Sequence, residues 1–244
     1  MEKSNQRQAI IFDLDGVLIN SMSNFYKMVI TDIRKRGITI PPDVLKILGK
    51  ELIEDHQTPG RREYFPIIQL FWKIGRRAGL SKFRAFFFAL QCVRKAKDVY
   101  SSAILFSDTI ESLARLKEAG FELGIFTLAS KKQLTFILEK NNLTHFFNPN
   151  ALISRNDVKK QKPDPEGIIL AFEGCSSSPD LGFLVGDMPI DIIAGTKAGV
   201  KTIGLTTGLV DKEILQEYSS PTIIVDSLKE ASDWILNQEF AFSE

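Results

Sequence analysis

Cysteine and histidine are scarce in this chain, two of each among 244 residues. Cys92 and Cys175 are far apart and in no metal-ligand spacing, which argues against a zinc site or a disulfide framework and for a reduced, cytoplasmic protein. His56 and His145 belong to no recognisable ligand set, so histidine-based catalysis is not expected. Long hydrophobic runs are missing too. The N-terminal MEKSNQRQ is polar, and the apolar run Ala9 to Phe12 is too short for a signal peptide. The richest apolar stretch, Phe83 to Val93, is broken by Arg84 and followed by Arg94 and Lys95, short of the roughly 20 residues that span a bilayer. Charge of one sign is not in excess either. Thirty-one Lys and Arg against 30 Asp and Glu leave a formal net charge of +1, so the overall field selects no partner, nucleic acid included. Internal repeats and low-complexity tracts are absent.

What is present is an ordinary folded composition, 44% hydrophobic and 25% charged, long enough for a core with a smaller companion domain. Short, nearly continuous apolar runs recur: Ala9 to Phe12, Phe121 to Thr127, Gly182 to Val185, Thr202 to Leu205 and Thr222 to Val225. Such runs fit strands buried on both faces of a parallel sheet. Helical patterns separate them. Asp108 with Glu111 opens one that Gly120 closes, Ser130-Lys-Lys-Gln133 has the spacing of a capping box, and Pro165 suits a first helical turn. Alternating strands and helices predict an α/β, doubly wound parallel-sheet (Rossmann-like) core, whose ligands bind beyond the carboxyl ends of the strands. From about Ser21 to Tyr100 the alternation stops and only helical patterns appear, with turns at Pro41-Pro42 and Thr58-Pro59-Gly60. The expected organisation is a split core, 1–20 plus 101–244, with an inserted all-helical domain over 21–100.

Two acidic pairs stand at predicted strand ends. The first strand runs into Asp13-Leu14-Asp15-Gly16, where glycine allows a sharp turn and two crowded carboxylates need compensation. A divalent cation supplies it, magnesium typically taking one or two carboxylates with substrate phosphate and water; a solvated acidic turn is the plain alternative. Asp187 and Asp191, in Gly186-Asp-Met-Pro-Ile-Asp191, follow another strand, and there helix capping is the plain alternative. In a doubly wound sheet both pairs lie at the same edge. Thr127 ends a third strand, and Lys162 sits in the polar Lys-Pro-Asp-Pro loop, a cation to balance the carboxylates.

Taken in this order, these elements resemble the four signature motifs of the haloacid dehalogenase superfamily. Asp13 and Asp15 match the first, Thr127 the second, Lys162 the third, and Asp187 with Asp191 the fourth; the insertion at 21–100 is similar to the family's helical cap. The resemblance implies a Mg2+-dependent phosphatase acting on a small phosphorylated substrate. Asp13 is then the nucleophile that forms an aspartyl-phosphate, and Asp15 the acid and base. Thr127, Lys162 and backbone amides near Leu14, Asp15 and Leu128 hold the phosphoryl oxygens. The metal takes the Asp13 carboxylate, the Asp15 carbonyl and Asp187, with Asp191 ligating through water or orienting Lys162. An acid two residues after the nucleophile, as at Asp15, marks the phosphatases and phosphomutases of this superfamily, not its dehalogenases. Leu128 departs from the asparagine often found there, which bears on details of the pocket. A phosphomutase similar to beta-phosphoglucomutase is the nearest alternative, and a non-catalytic binding or regulatory relative a more distant one.

Between Arg61 and Lys97 stand ten Lys or Arg and one acid, Glu63, interleaved with Tyr64, Phe65, Phe71, Trp72, Phe83, Phe86, Phe87 and Phe88. The favoured reading is a helical domain with an aromatic core and a solvated basic face. Arg61 and Arg62, beside Gly60, are candidates to bind the substrate beyond its phosphate. Contact of the basic aromatic face with an anionic membrane surface is a less favoured reading.

Overall fold

A computed structural model describes residues 7–21, 31, 34–35, 65–96, 102–208 and 210–240. The chain divides into two compact units, one formed by Met1–Asn20 with Ile104–Glu244, the other by Ser21–Ala103.

In the first unit six parallel strands form one sheet: β1 (Ala9–Phe12), β2 (Glu122–Phe126), β3 (Leu152–Ile153), β4 (Phe183–Gly186), β5 (Lys201–Leu205) and β6 (Ile223–Val225), in the order β3-β2-β1-β4-β5-β6. All four residues of β1 are fully buried, as a central strand covered on both faces demands. Ala9 and Ile11 face a cluster that includes Phe126, Ile168, Phe172, Leu184 and Ala194. This is the side of α5 (Glu166–Gly174) and α6 (Pro189–Ala198). On the opposite face, Ile10 pairs in register with Phe183, whose ring meets Phe121 and Trp234 edge-on. Trp234 belongs to α8 (Leu228–Phe240), which packs on α3 (Thr109–Glu118). α4 (Lys131–Lys140) follows β2 and α7 (Lys212–Tyr218) follows β5.

The doubly wound core is therefore as expected, with two local differences. β3 is only two residues long, too short to stand out as an apolar run. Asp108 precedes α3 without capping it through its side chain, and its carboxylate accepts a hydrogen bond from the Lys229 amide at 2.8 Å instead. The Ser130–Gln133 capping box is present in both directions.

Most of the described part of the second unit is a helical hairpin of α1 (Phe65–Arg77) and α2 (Lys82–Ala96). Gly79 (φ +85°) turns the chain, and the Leu80 amide closes on the Gly75 carbonyl at 2.9 Å. A Cβ on Gly75 would sit 3.1 Å from the Ala85 Cβ, so small residues let the helices approach closely. Phe71, Ile74, Leu80, Ala85, Phe88 and Cys92 are buried. The aromatic-core expectation thus holds for Phe71 and Phe88 but not for Phe83, Phe86 and Phe87, which face outward at 81%, 47% and 63% exposure. The Pro41-Pro42 and Thr58–Gly60 turns, Arg61, Arg62 and Tyr64 lie outside the described residues.

Candidate active site

The sheet order reverses between β1 and β4: from β1 the chain adds β2 and β3 to one side, then crosses to β4. A crevice opens beyond the carboxyl ends at such a switch point. The two acidic pairs are the residues that follow these two strands.

Asp13 continues the β1 ladder by one bond, its amide donating to the Val185 carbonyl at 2.9 Å. The chain then turns within a few residues: the Leu18 and Ile19 amides return to the Leu14 carbonyl, and the Gly16 amide to that of Ile19. Gly16 is required twice over. Its φ is +79°, a region side chains rarely adopt, and a Cβ there would overlap the Asp187 carboxylate. Asp13, Asp187 and Asp191 are each less than a tenth exposed, and one carboxylate oxygen from each lies within 4.8 Å of the other two. Asp15 is half-buried.

Lys162 reaches into this cluster almost fully buried. Its Nζ donates to Asp13 Oδ1 at 2.6 Å, lies 2.8 Å from Asp191 Oδ1, and stands 4.9 Å over the centre of the Phe126 ring. Its loop is fixed from below, since the Glu166 carboxylate accepts from the amides of Lys159 and Lys160, and Lys197 Nζ holds the Pro163 carbonyl. Asp191 also accepts from the Met188 amide at 3.0 Å, so this residue does the capping while it pairs with Lys162.

One lysine cannot neutralise three buried carboxylates. Asp187 has no hydrogen bond or ion pair among the described residues, although only 5% of it is exposed. Burial and the charges of Asp191, Asp13 and Asp15 push its carboxyl well above the usual range. Burial likewise pushes Asp13 up to about 7, against the opposing pull of Lys162. Burial alone would lower the lysine, but Asp13 and Asp191 outweigh it and raise it above its ordinary value. The donor set fits a hard divalent cation: all oxygen, with one carboxylate oriented and unclaimed.

Thr127 prolongs β2, its amide bonded to the Ile153 carbonyl at 3.0 Å. Its Oγ1 accepts from the Ala129 amide at 3.0 Å, and its hydroxyl proton has no acceptor among the described residues. The amides of Leu14 and Leu128 likewise donate no hydrogen bond among the described residues. These donors stand at the ends of the neighbouring strands β1 and β2. Asp13, Lys162, Asp187 and Asp191 are thus in one cluster, with Asp15 and Thr127 at the same sheet edge.

Sequence reasoning missed Gly208 and Thr207. A Cβ on Gly208 would overlap the Asp187 carboxylate, and Thr207 Oγ1 donates to the Gly16 carbonyl, tying this loop to the turn after β1. Their only signal is a Thr-Thr-Gly after a strand, which also describes a plain turn.

A centre of this kind on this sheet defines an α/β enzyme, because buried carboxylates lacking neutralisation weaken a fold and are kept for chemistry. Comparison with known proteins narrows the class. The chain belongs to the haloacid dehalogenase-like hydrolase family, whose profile matches residues 10–205. It is 28% identical over 213 residues to pyrophosphatase PpaX of Bacillus velezensis, covering 86% of this chain and 88% of that one. It is 25% identical over 228 residues to PpaX of Bacillus cereus, at 91% and 93% coverage. Among solved structures, YfnB of Bacillus subtilis, assigned as a HAD-hydrolase and bound to magnesium, aligns with a TM-score of 0.70 at 18% identity, covering 96% of this chain and all of that one. A chain from Haemophilus somnus, described as a predicted phosphoglycolate phosphatase, aligns with a TM-score of 0.67 at 21% identity and the same coverage. At those identities the structures speak for the fold alone. No helix among the described residues is long and apolar enough to cross a membrane.

Proposed function

We propose that the chain is a magnesium-dependent phosphatase that works through an aspartyl-phosphate on Asp13. The observation that carries this reading is the buried Asp13–Lys162–Asp191 cluster beside an unpartnered Asp187. Asp13, Asp187 and the Asp15 carbonyl would hold the metal, with Asp191 behind; bound there, it supplies charge neutralisation for the phosphate and the carboxylates.

The protein's own groups account for the rest. Lys162 engages Oδ1 of Asp13 and favours its ionised form, leaving Oδ2 as nucleophile. In the first step the Asp13 oxygen bonds to phosphorus as the bond to the leaving oxygen breaks, and Asp15 gives that oxygen its proton. In the second, a water oxygen bonds to phosphorus, the Asp13–phosphorus bond breaks, and Asp15 takes the water's proton back. The amides of Leu14 and Leu128, the Thr127 hydroxyl and Lys162 are donors for the phosphoryl oxygens, where charge builds in both steps. Leu128 contributes through its backbone, so the missing asparagine does not remove a donor for phosphate.

Relatives named as pyrophosphatases make inorganic pyrophosphate the first substrate to try, with small phosphate monoesters beside it. Residues 21–100 are proposed as the domain that selects the rest of the substrate, on their position in the chain between the first motif and α3. Two buried cysteines outside any disulfide support a reducing compartment such as the cytoplasm.

The test is phosphate release from pyrophosphate and a panel of monoesters, with and without magnesium, by wild type and Asp13→Asn. Turnover should need the metal and fall at least about a thousandfold in the variant. Activity that survives Asp13→Asn would overturn the mechanism; an isomerised sugar phosphate with no free phosphate would make the chain a mutase.

A further inference from the structure

The helical hairpin carries a second surface that the phosphatase reading does not use. α2 has two apolar faces. Ala85, Phe88, Ala89 and Cys92 form one and are buried. Phe83, Phe86 and Phe87 form the other, at i, i+3 and i+4, and are 81%, 47% and 63% exposed. Three neighbouring exposed phenylalanines on one helix face differ from the scattered apolar residues of an ordinary surface.

The charge around them is of one sign. From Phe65 to Ala96 the sequence has seven Lys or Arg and no Asp or Glu. In helical projection Lys82 and Arg84 flank the phenylalanine strip on opposite sides, and Arg94 lies along it two turns on. All three are exposed, and none has an ion-pair partner among the described residues. A solvated helix face normally carries both signs.

We propose that this face of α2 docks on an anionic lipid bilayer, with Phe83, Phe86 and Phe87 entering the headgroup–acyl boundary and Lys82, Arg84 and Arg94 meeting lipid phosphates. Apolar centre and cationic margins together are the signature of a helix that lies in the membrane plane. Charge complementarity selects this occupant over a second copy of the chain, because an isologous contact would set the cations against themselves. A helix face, not a cationic groove, also disfavours single-stranded nucleic acid. The inference does not rest on the phosphatase reading.

The experiment is vesicle flotation of the full chain with phosphatidylcholine alone and with phosphatidylcholine mixed with phosphatidylglycerol. The wild type should float with the mixed vesicles only, and high salt should weaken the binding. Phe83→Ser/Phe86→Ser/Phe87→Ser should abolish flotation. Lys82→Glu/Arg84→Glu should weaken it more than about tenfold, each cation near the surface contributing roughly fivefold. Both variants change exposed side chains, and melting temperatures matching the wild type would verify their fold. No flotation above the neutral control would overturn the proposal, as would flotation that both variants retain. A concentration-dependent dimer dispersed by the phenylalanine variant would assign the face to a second copy. Retention by single-stranded RNA without flotation would assign it to nucleic acid.

Discussion

Replacing Asp187 by asparagine should stabilise the metal-free protein while abolishing its response to magnesium. Asp187 is buried, has no partner among the described residues, and stands within reach of two further carboxylates. Asparagine has nearly the same shape, so the space that Gly16 and Gly208 leave for the carboxylate also admits the amide. A buried polar group left unsatisfied costs about 1–3 kcal/mol, and an ionised one more. Asparagine keeps that cost but has no carboxyl that must hold a proton against the pH, so near neutral pH it should recover about 1–3 kcal/mol, a rise of roughly 3–10 °C in melting temperature for a chain of this size. The gain should grow with pH. Native Asp187 keeps a proton that the unfolded chain releases near 3.8, so the unfolded state binds fewer protons and wild-type stability falls as pH rises through this range. Asp13, raised to about 7, adds a slope of the same sign in both proteins, so the variant's pH dependence should be shallower than wild type's but not flat. Magnesium should offset this difference, stabilising wild type by about 2.7 kcal/mol at a hundred times its dissociation constant and leaving the variant unshifted. Thermal melts in chelator and in magnesium at several pH values provide the assay. A variant less stable than wild type in chelator, or an equal magnesium shift in both, would refute the reasoning.

Other perturbations probe neighbouring parts of the site. Lys162→Met leaves Asp13 and Asp191 without their shared cation and should cost about 3–5 kcal/mol in urea unfolding at neutral pH. The cost should shrink toward pH 5, well below the value of about 7 near which Asp13 takes up its proton; an unchanged midpoint would contradict the ion pairs. Gly208→Ala drives a methyl group into the Asp187 carboxylate, and should lose the magnesium-induced melting shift at a stability cost of about 1–3 kcal/mol. A normal magnesium shift would show that the loop moves aside. Burial, with Glu122 nearby, pushes the Cys175 thiol up to about 12, and Cys92 is also buried. The native protein should therefore react with a disulfide reagent at mildly alkaline pH only as fast as it unfolds. Prompt titration of either thiol would be inconsistent with the packing.

Five of the six core strands were legible because each is a nearly continuous apolar run followed by glycine, aspartate or threonine, a pattern set by burial in the sheet, whereas the two-residue β3 is too short to show it. The acidic pairs and Lys162 were legible from their places at predicted strand and loop ends, and the capping box at Ser130 from spacing alone. Each is a local property of the chain. Which carboxylate Lys162 would claim was not local. Lys162 and Asp13 are 149 positions apart, and only the β1–β4 switch point joins them, leaving Asp187 without a partner. Gly208 owes its importance to a side chain of another strand end, so nothing in its own neighbourhood announces it. The phenylalanines of α2 make the same point from the opposite direction. Their spacing is as good for a core as for a surface, and a helix with apolar residues on both sides can bury only one of them against α1. Sequence alone determined the chemistry available along the chain; tertiary packing decided which groups met, which were neutralised, and which were left facing outward.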